Sequence, residues 1–149
     1  MSMSEIFEAE IEDVYRYRLS YGGQSPYFRG LQEKQLVGSR CNGCGRVWLP
    51  LRPICSKCYA DAQQVVLSGK GEILTAITLP DSVQHLKHLG GNAATALVRL
   101  DGADTCIKAF VVYLSPDLKK GTRVEARFLP EIKNIGDFYF VPVDGGANS

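Results

Sequence analysis

Two C-x-x-C pairs, Cys41-Asn42-Gly43-Cys44 and Cys55-Ser56-Lys57-Cys58, constrain this chain more than any other feature in it. Two residues between thiolates let both sulfurs turn toward one point, and Gly45, directly after the first pair, supplies the backbone freedom such a knuckle needs. Two knuckles on adjacent hairpin tips close a tetrahedral site of four sulfurs. The doubled spacing therefore predicts a metal site built from Cys41, Cys44, Cys55 and Cys58. Every corner is a cysteine, so no position stays open for water or substrate, and the metal is expected to be structural. Function must then lie outside the clearest motif.

Zinc fits this ligand set best, although iron in a rubredoxin-type site takes the same four thiolates and the sequence does not separate the two. A redox pair would appear once, near a βαβ pattern that this chain lacks. Disulfides fit poorly with five cysteines, an odd total, and no hydrophobic signal core precedes them. The fifth, Cys106, stands in Asp104-Thr105-Cys106-Ile107-Lys108-Ala109-Phe110 and is expected to be a buried strand thiol without a catalytic role.

A chain of 149 residues can bury roughly two-thirds of its unfolded surface, enough for one core and a small satellite module. Its 45% hydrophobic content is that of an ordinary soluble domain. No apolar run approaches the ~20 residues of a membrane span, and the cytoplasm is the expected location. A net charge of +1 weighs against a bulk electrostatic grip on nucleic acid.

Four regions follow from the patterning. Residues 1–35 are expected to form a helical docking arm, with Phe7, Ile11, Val14 and Arg18 recurring at helical spacing. Glutamates early and arginines late suit the helix dipole. Tyr21-Gly22-Gly23-Gln24-Ser25-Pro26 interrupts it, and a second short helix is expected over 26–34, with Tyr27, Phe28 and Leu31 on one side. Residues 36–68 hold the knuckles, too small a unit to fold by apolar burial alone. Residues 69–143 carry strands near 72–79, 94–100, 106–113, 123–129 and 138–143, separated by glycine-containing turns. Five such strands predict a small barrel of the OB-fold type. Residues 144–149 are expected to be a flexible tail. The fold class is thus mainly β: a helical arm, a rubredoxin-like zinc ribbon, and a five-stranded OB-fold barrel.

The order of these pieces resembles a family of small acyl-CoA-associated proteins that join a rubredoxin-like zinc ribbon to an OB-fold. The resemblance runs from Tyr27-Phe28-Arg29-Gly30-Leu31-Gln32-Glu33-Lys34-Gln35-Leu36 through Cys41-Asn42-Gly43-Cys44-Gly45-Arg46 and Pro50-Leu51-Arg52-Pro53-Ile54-Cys55-Ser56-Lys57-Cys58. It continues in Ser68-Gly69-Lys70-Gly71-Glu72-Ile73 and Leu118-Lys119-Lys120-Gly121-Thr122-Arg123-Val124-Glu125. It implies a non-catalytic accessory subunit of a thiolase-type enzyme, supporting the binding or passage of a CoA thioester at the partner interface. Some relatives join hydratase or aldolase complexes that degrade steroid side chains. One branch accompanies the thiolase that cleaves benzoylsuccinyl-CoA in aromatic breakdown.

Other candidates are weaker. His85 and His88 sit in a long connection ending in Gly90-Gly91, where a lid could carry an acid/base group, but solvated surface histidines are the commoner outcome. Two histidines without carboxylates make a poor second metal site. Tyr15-Arg16-Tyr17-Arg18 and Tyr21 mix cations with aromatics, which suits a protein interface, a CoA contact or, last, a single-stranded nucleic acid. No catalytic triad, P-loop or dinucleotide fingerprint is present, so no catalytic residue is assigned. The chief alternative to the accessory role is a ribbon/OB module that binds single-stranded nucleic acid, with a lone hydrolase or hydratase using His85 or His88 behind it.

Overall fold

The computed structural model describes residues 4–78, 84–114 and 118–143. The expected tail, 144–149, lies outside these residues. Residues 4–20 form no helix and are exposed throughout. The helical stripe expected there is therefore corrected: Phe7, Ile11 and Val14 stand 91%, 80% and 88% exposed. The physical reason is that helical spacing supplies a stripe but not a surface to bury it against. An isolated helix of this length is marginal without one. Tyr15 and Tyr17 stack with ring centroids 6.3 Å apart, as side chains two apart do on an extended chain.

A 3-10 turn, Gly22–Gln24, leads into α1 (Ser25–Gln32), the one α-helix among the described residues. Its proline sits in the first turn, where a missing N–H costs nothing. Tyr27, Gly30 and Leu31 form its buried face, and burial pushes the Tyr27 phenol up to about 12. Lys34, at φ 60, closes the helix in the left-handed conformation, with the Lys34 and Gln35 N–H groups donating to Leu31 and Gly30 carbonyls.

Three strands make the ribbon: β1 (Leu36–Cys41), β2 (Val47–Trp48) and β3 (Ala62–Leu67), all antiparallel in the order β2-β1-β3. The barrel follows with β4 (Lys70–Thr78), β5 (Asn92–Leu100), β6 (Ile107–Tyr113), β7 (Arg123–Phe128) and β8 (Phe138–Pro142). It closes in the order β4-β5-β6-β8-β7, with β7 returning to β4 and one parallel pair, β6 with β8. That five-stranded closed topology is the expected OB-fold. Gly69 bends the chain into the barrel at φ +82, and Gly71 lets β4 pass where a Cβ would lie 2.5 Å from the Arg99 carbonyl.

One core joins α1, the ribbon and the barrel. Tyr27 and Leu31 of α1, Leu36, Val37, Leu49 and Leu51 of the ribbon, and Ile73, Val98, Leu100, Val111, Val124 and Phe140 of the barrel form a single buried cluster. The β5–β6 turn ties ribbon to barrel a second time. Val47 N–H donates to an Asp104 carboxylate oxygen at 2.9 Å, and Asp104 N–H donates to the Val47 carbonyl at 3.0 Å. Thr105 Oγ1 accepts from Leu49 N–H and donates to the Leu49 carbonyl. These contacts explain the second correction: Cys106 is exposed. The turn reaches back to β2, so β6 begins at Ile107, one residue after the thiol expected to be buried in it.

Candidate metal centre

Cys41 ends β1 and Cys44 follows on the first knuckle; Cys55 and Cys58 belong to the hairpin closed by the Ile54–Asp61 bridge. All four sulfurs lie within 4.8 Å of one another. Cys41 and Cys58 Sγ are 3.2 Å apart, and Cys44 and Cys55 Sγ are 3.7 Å apart. A tetrahedral ion with metal–sulfur bonds of about 2.3 Å sets its sulfurs roughly 3.8 Å apart, so the donor set fits a thiophilic cation. Among the described residues this is the one cluster of histidine, cysteine or carboxylate side chains placed to share a metal.

Backbone N–H groups point at the sulfurs as they do around a charged thiolate. Gly43 and Cys44 N–H donate to Cys41 Sγ at 3.3 and 3.4 Å, and Lys57 N–H donates to Cys55 Sγ at 3.4 Å. Burial pushes the Cys55 thiol up, but the backbone N–H groups of Cys58 and Lys57 outweigh it and bring it down to about 6. The Cys44 N–H likewise holds the Cys41 thiol down. Cys58 shows the opposite direction: the Ala60 N–H favours its thiolate, but three neighbouring sulfurs resist a further charge and push it up to about 11. A bound cation relieves that repulsion directly.

The glycines divide the labour. Gly45 takes the left-handed backbone, φ +74, that closes the first knuckle. Gly43 does not; a Cβ there would stand 2.9 Å from Ala60 Cβ and 3.2 Å from Cys58 Sγ, so it is small to admit the sulfur cluster. Around the centre, Arg46 and Arg52 both lie over Trp48, each guanidinium 4.9 Å from the ring centroid. The two cation–π contacts restrain the indole, whose N–H is buried without a hydrogen-bond partner among the described residues. Buried Ser39 accepts the Arg52 N–H at 2.9 Å and so pins the approach to the second knuckle.

The remaining candidates are not brought to this centre. His88 is exposed on a 3-10 helix, Gln84–Leu89, while the side chain of His85 lies outside the described residues. Tyr15, Arg16, Tyr17 and Arg18 are exposed on the arm. Tyr21 stacks on Phe28 with centroids 3.7 Å apart, beside a cleft of about 240 Å³ that also carries Arg29 and Lys133. Sequence reasoning passed over Trp48 with its two arginines, and Tyr59, which follows the second knuckle. The sequence did hold a signal for the latter: glycine follows one C-x-x-C pair and tyrosine the other.

Comparison with known proteins places these features. Residues 28–62 match the family model described as the ChsH2, rubredoxin-like zinc ribbon domain. A DUF35 domain-containing scaffold protein of Methanocaldococcus jannaschii is 33% identical over 117 residues, covering 74% of this chain and 79% of that protein. Among solved structures, the Ltp2-ChsH2(DUF35) aldolase superposes with a TM-score of 0.64 at 22% identity, over 85% of this chain and 98% of that one. A DUF35-family protein of unknown function from Sulfolobus solfataricus gives 0.60 at 17% identity, over 82% and 87%. These two likenesses are of fold.

Proposed function

The chain belongs to the DUF35 family of scaffold proteins, and from that premise we propose that it is a non-catalytic accessory subunit of a thiolase-type acyl-CoA enzyme. The observation that carries this reading is the arm. Ile6, Phe7, Ile11, Val14, Tyr15, Tyr17 and Leu19 are each at least 69% exposed. A run of large apolar side chains held in water marks a surface made for a partner. Five acidic residues (Glu5, Glu8, Glu10, Glu12, Asp13) against two arginines (Arg16, Arg18) give the arm a net negative charge. It suits an apolar groove with a basic rim, and it is a poor ligand for nucleic acid.

In this reading Cys41, Cys44, Cys55 and Cys58 hold a structural zinc ion, which supplies folding free energy and no chemistry of its own. Ordering the ribbon fixes the face from which the arm departs. The partner supplies the catalytic groups. Where CoA reaches this chain, the cleft between α1 and residues 132–135 offers Arg29 and Lys133 to phosphate and the Tyr21–Phe28 stack to the adenine. The acyl group and the place in aromatic or steroid breakdown follow from the partner. An aldolase partner, as in the Ltp2-ChsH2(DUF35) structure, is the related alternative.

The test is to tag the chain, purify it gently from its native cells and identify what accompanies it by mass spectrometry. A stoichiometric thiolase-type enzyme is the expected result, with its activity lost when this chain is removed. A chain that travels alone, or with nucleic acid that salt strips away, ends the proposal. No helix among the described residues is long and apolar enough to cross a membrane.

A further inference from the structure

Among the described residues, two other than glycine adopt left-handed backbone, Lys34 at φ 60 and Tyr59 at φ 62. That conformation crowds any Cβ, so a large side chain there calls for a reason. For Lys34 the reason is internal. Its Nζ donates to the Leu129 carbonyl at 3.0 Å, tying the end of α1 to the barrel.

Tyr59 has no such role among the described residues. It closes the second knuckle as Gly45 closes the first: Tyr59 N–H donates to the Cys55 carbonyl at 2.9 Å, and Gly45 N–H to the Cys41 carbonyl at 3.0 Å. The two turns therefore require the same backbone, and glycine serves the first of them. At Gly45 a Cβ would meet nothing within 4 Å, so the left-handed backbone alone selects glycine there. The Tyr59 ring is 80% exposed and makes no hydrogen bond, ring stack or ion pair with any described residue. Strain is retained for a side chain that none of the described residues holds.

Its surroundings suit a protein contact. Ile54, on the same hairpin, is 54% exposed. Arg52 and Lys57 are exposed on either side in sequence. The arm leaves the body next door, since a Cβ on Gly23 would stand 2.6 Å from Pro53 Cγ. We propose that Tyr59 and Ile54 form a second anchor for the partner enzyme, continuous with the arm. The matching surface is an apolar socket holding a hydrogen-bond acceptor for the phenol, with acidic groups at its rim to meet Arg52 and Lys57. Tyrosine suits this work because it buries a large rigid ring at small entropic cost and brings one directional polar group.

The anchor rests on the accessory-subunit reading, and one experiment separates the two. The enzyme that accompanies the wild-type chain is identified, purified and titrated with wild-type chain and with Tyr59→Gly. In parallel, the isolated chains are compared for metal retention against a chelator and for denaturant midpoint. The expected result is affinity lowered tenfold or more, with metal retention and midpoint equal to wild type or higher. Ile54→Ser is expected to lower affinity several-fold in the same background. Unchanged affinity in Tyr59→Gly overturns the anchor, and so does a variant that loses metal or unfolds, because Tyr59 would then be structural. Absence of any enzyme beside the wild-type chain defeats the accessory reading and the anchor together.

Discussion

The ribbon and the arm start from much the same apolar content and reach opposite ends. The arm carries Ile6, Phe7, Ile11, Val14, Tyr15, Tyr17 and Leu19 within residues 4–20, and all of them stand in water. The ribbon has a similar apolar share, yet its strands pair in register from Leu36↔Leu67 to Cys41↔Ala62. Hydrophobic residues order a segment only where a complementary surface exists, as α1 finds in Leu36, Val37 and the barrel. The ribbon obtains its order differently, by four thiolates converging on one point together with a few buried side chains. A short segment is fixed by what it can close upon rather than by how greasy it is.

Chelation should break this contrast most completely. Structural zinc sites bind with apparent free energies of about 10 to 16 kcal/mol, so Cys55→Ser or metal removal should leave residues 41–61 as unprotected as the arm. Amide hydrogen exchange is the measurement, and retained protection over 41–61 would show that the sulfur cluster is dispensable. Leu31→Ala tests the other source of order. Leu31 is 1% exposed, and its truncation should cost about 2 to 5 kcal/mol in denaturant unfolding. Gly45→Tyr copies the second knuckle onto the first and should cost about 1 to 2 kcal/mol through its left-handed backbone. If it proves neutral, the strain assigned to Tyr59 has been overstated. Deleting residues 4–20 should change the isolated chain least, within about 0.5 kcal/mol. The same deletion should abolish co-purification of the enzyme partner, and protection of the arm in the complex would complete the comparison.

Much of this was legible in the sequence for a physical reason. Ligand spacing is local, so Cys41, Cys44, Cys55 and Cys58 could be grouped without knowing the fold. The barrel announced itself by short apolar runs between glycine turns at Gly69, Gly102 and Gly121, each of which takes positive φ. What failed was information held by neighbours. The periodicity of Phe7, Ile11 and Val14 describes a helix that would form if something were there to receive it. Cys106 looked like part of a strand because nothing local shows that Asp104 and Thr105 bend back to the ribbon. Trp48 gains its meaning from Arg46 and Arg52 only once β2 and the following loop are folded together.

The four hydrogen bonds that join Asp104 to Val47 and Thr105 to Leu49 carry a consequence for how the molecule can vary. A hairpin tip is ordinarily the cheapest place for a chain to gain or lose residues. Here the tip doubles as the clasp on the outer edge of β2, closing a strand that would otherwise be open to pairing with another molecule. An insertion at residues 103–105 would therefore be felt as an exposed ribbon edge and a tendency to self-associate, not as a longer loop. The barrel thus guards its smaller neighbour against aggregation, and drift in length is expected to settle elsewhere in the chain.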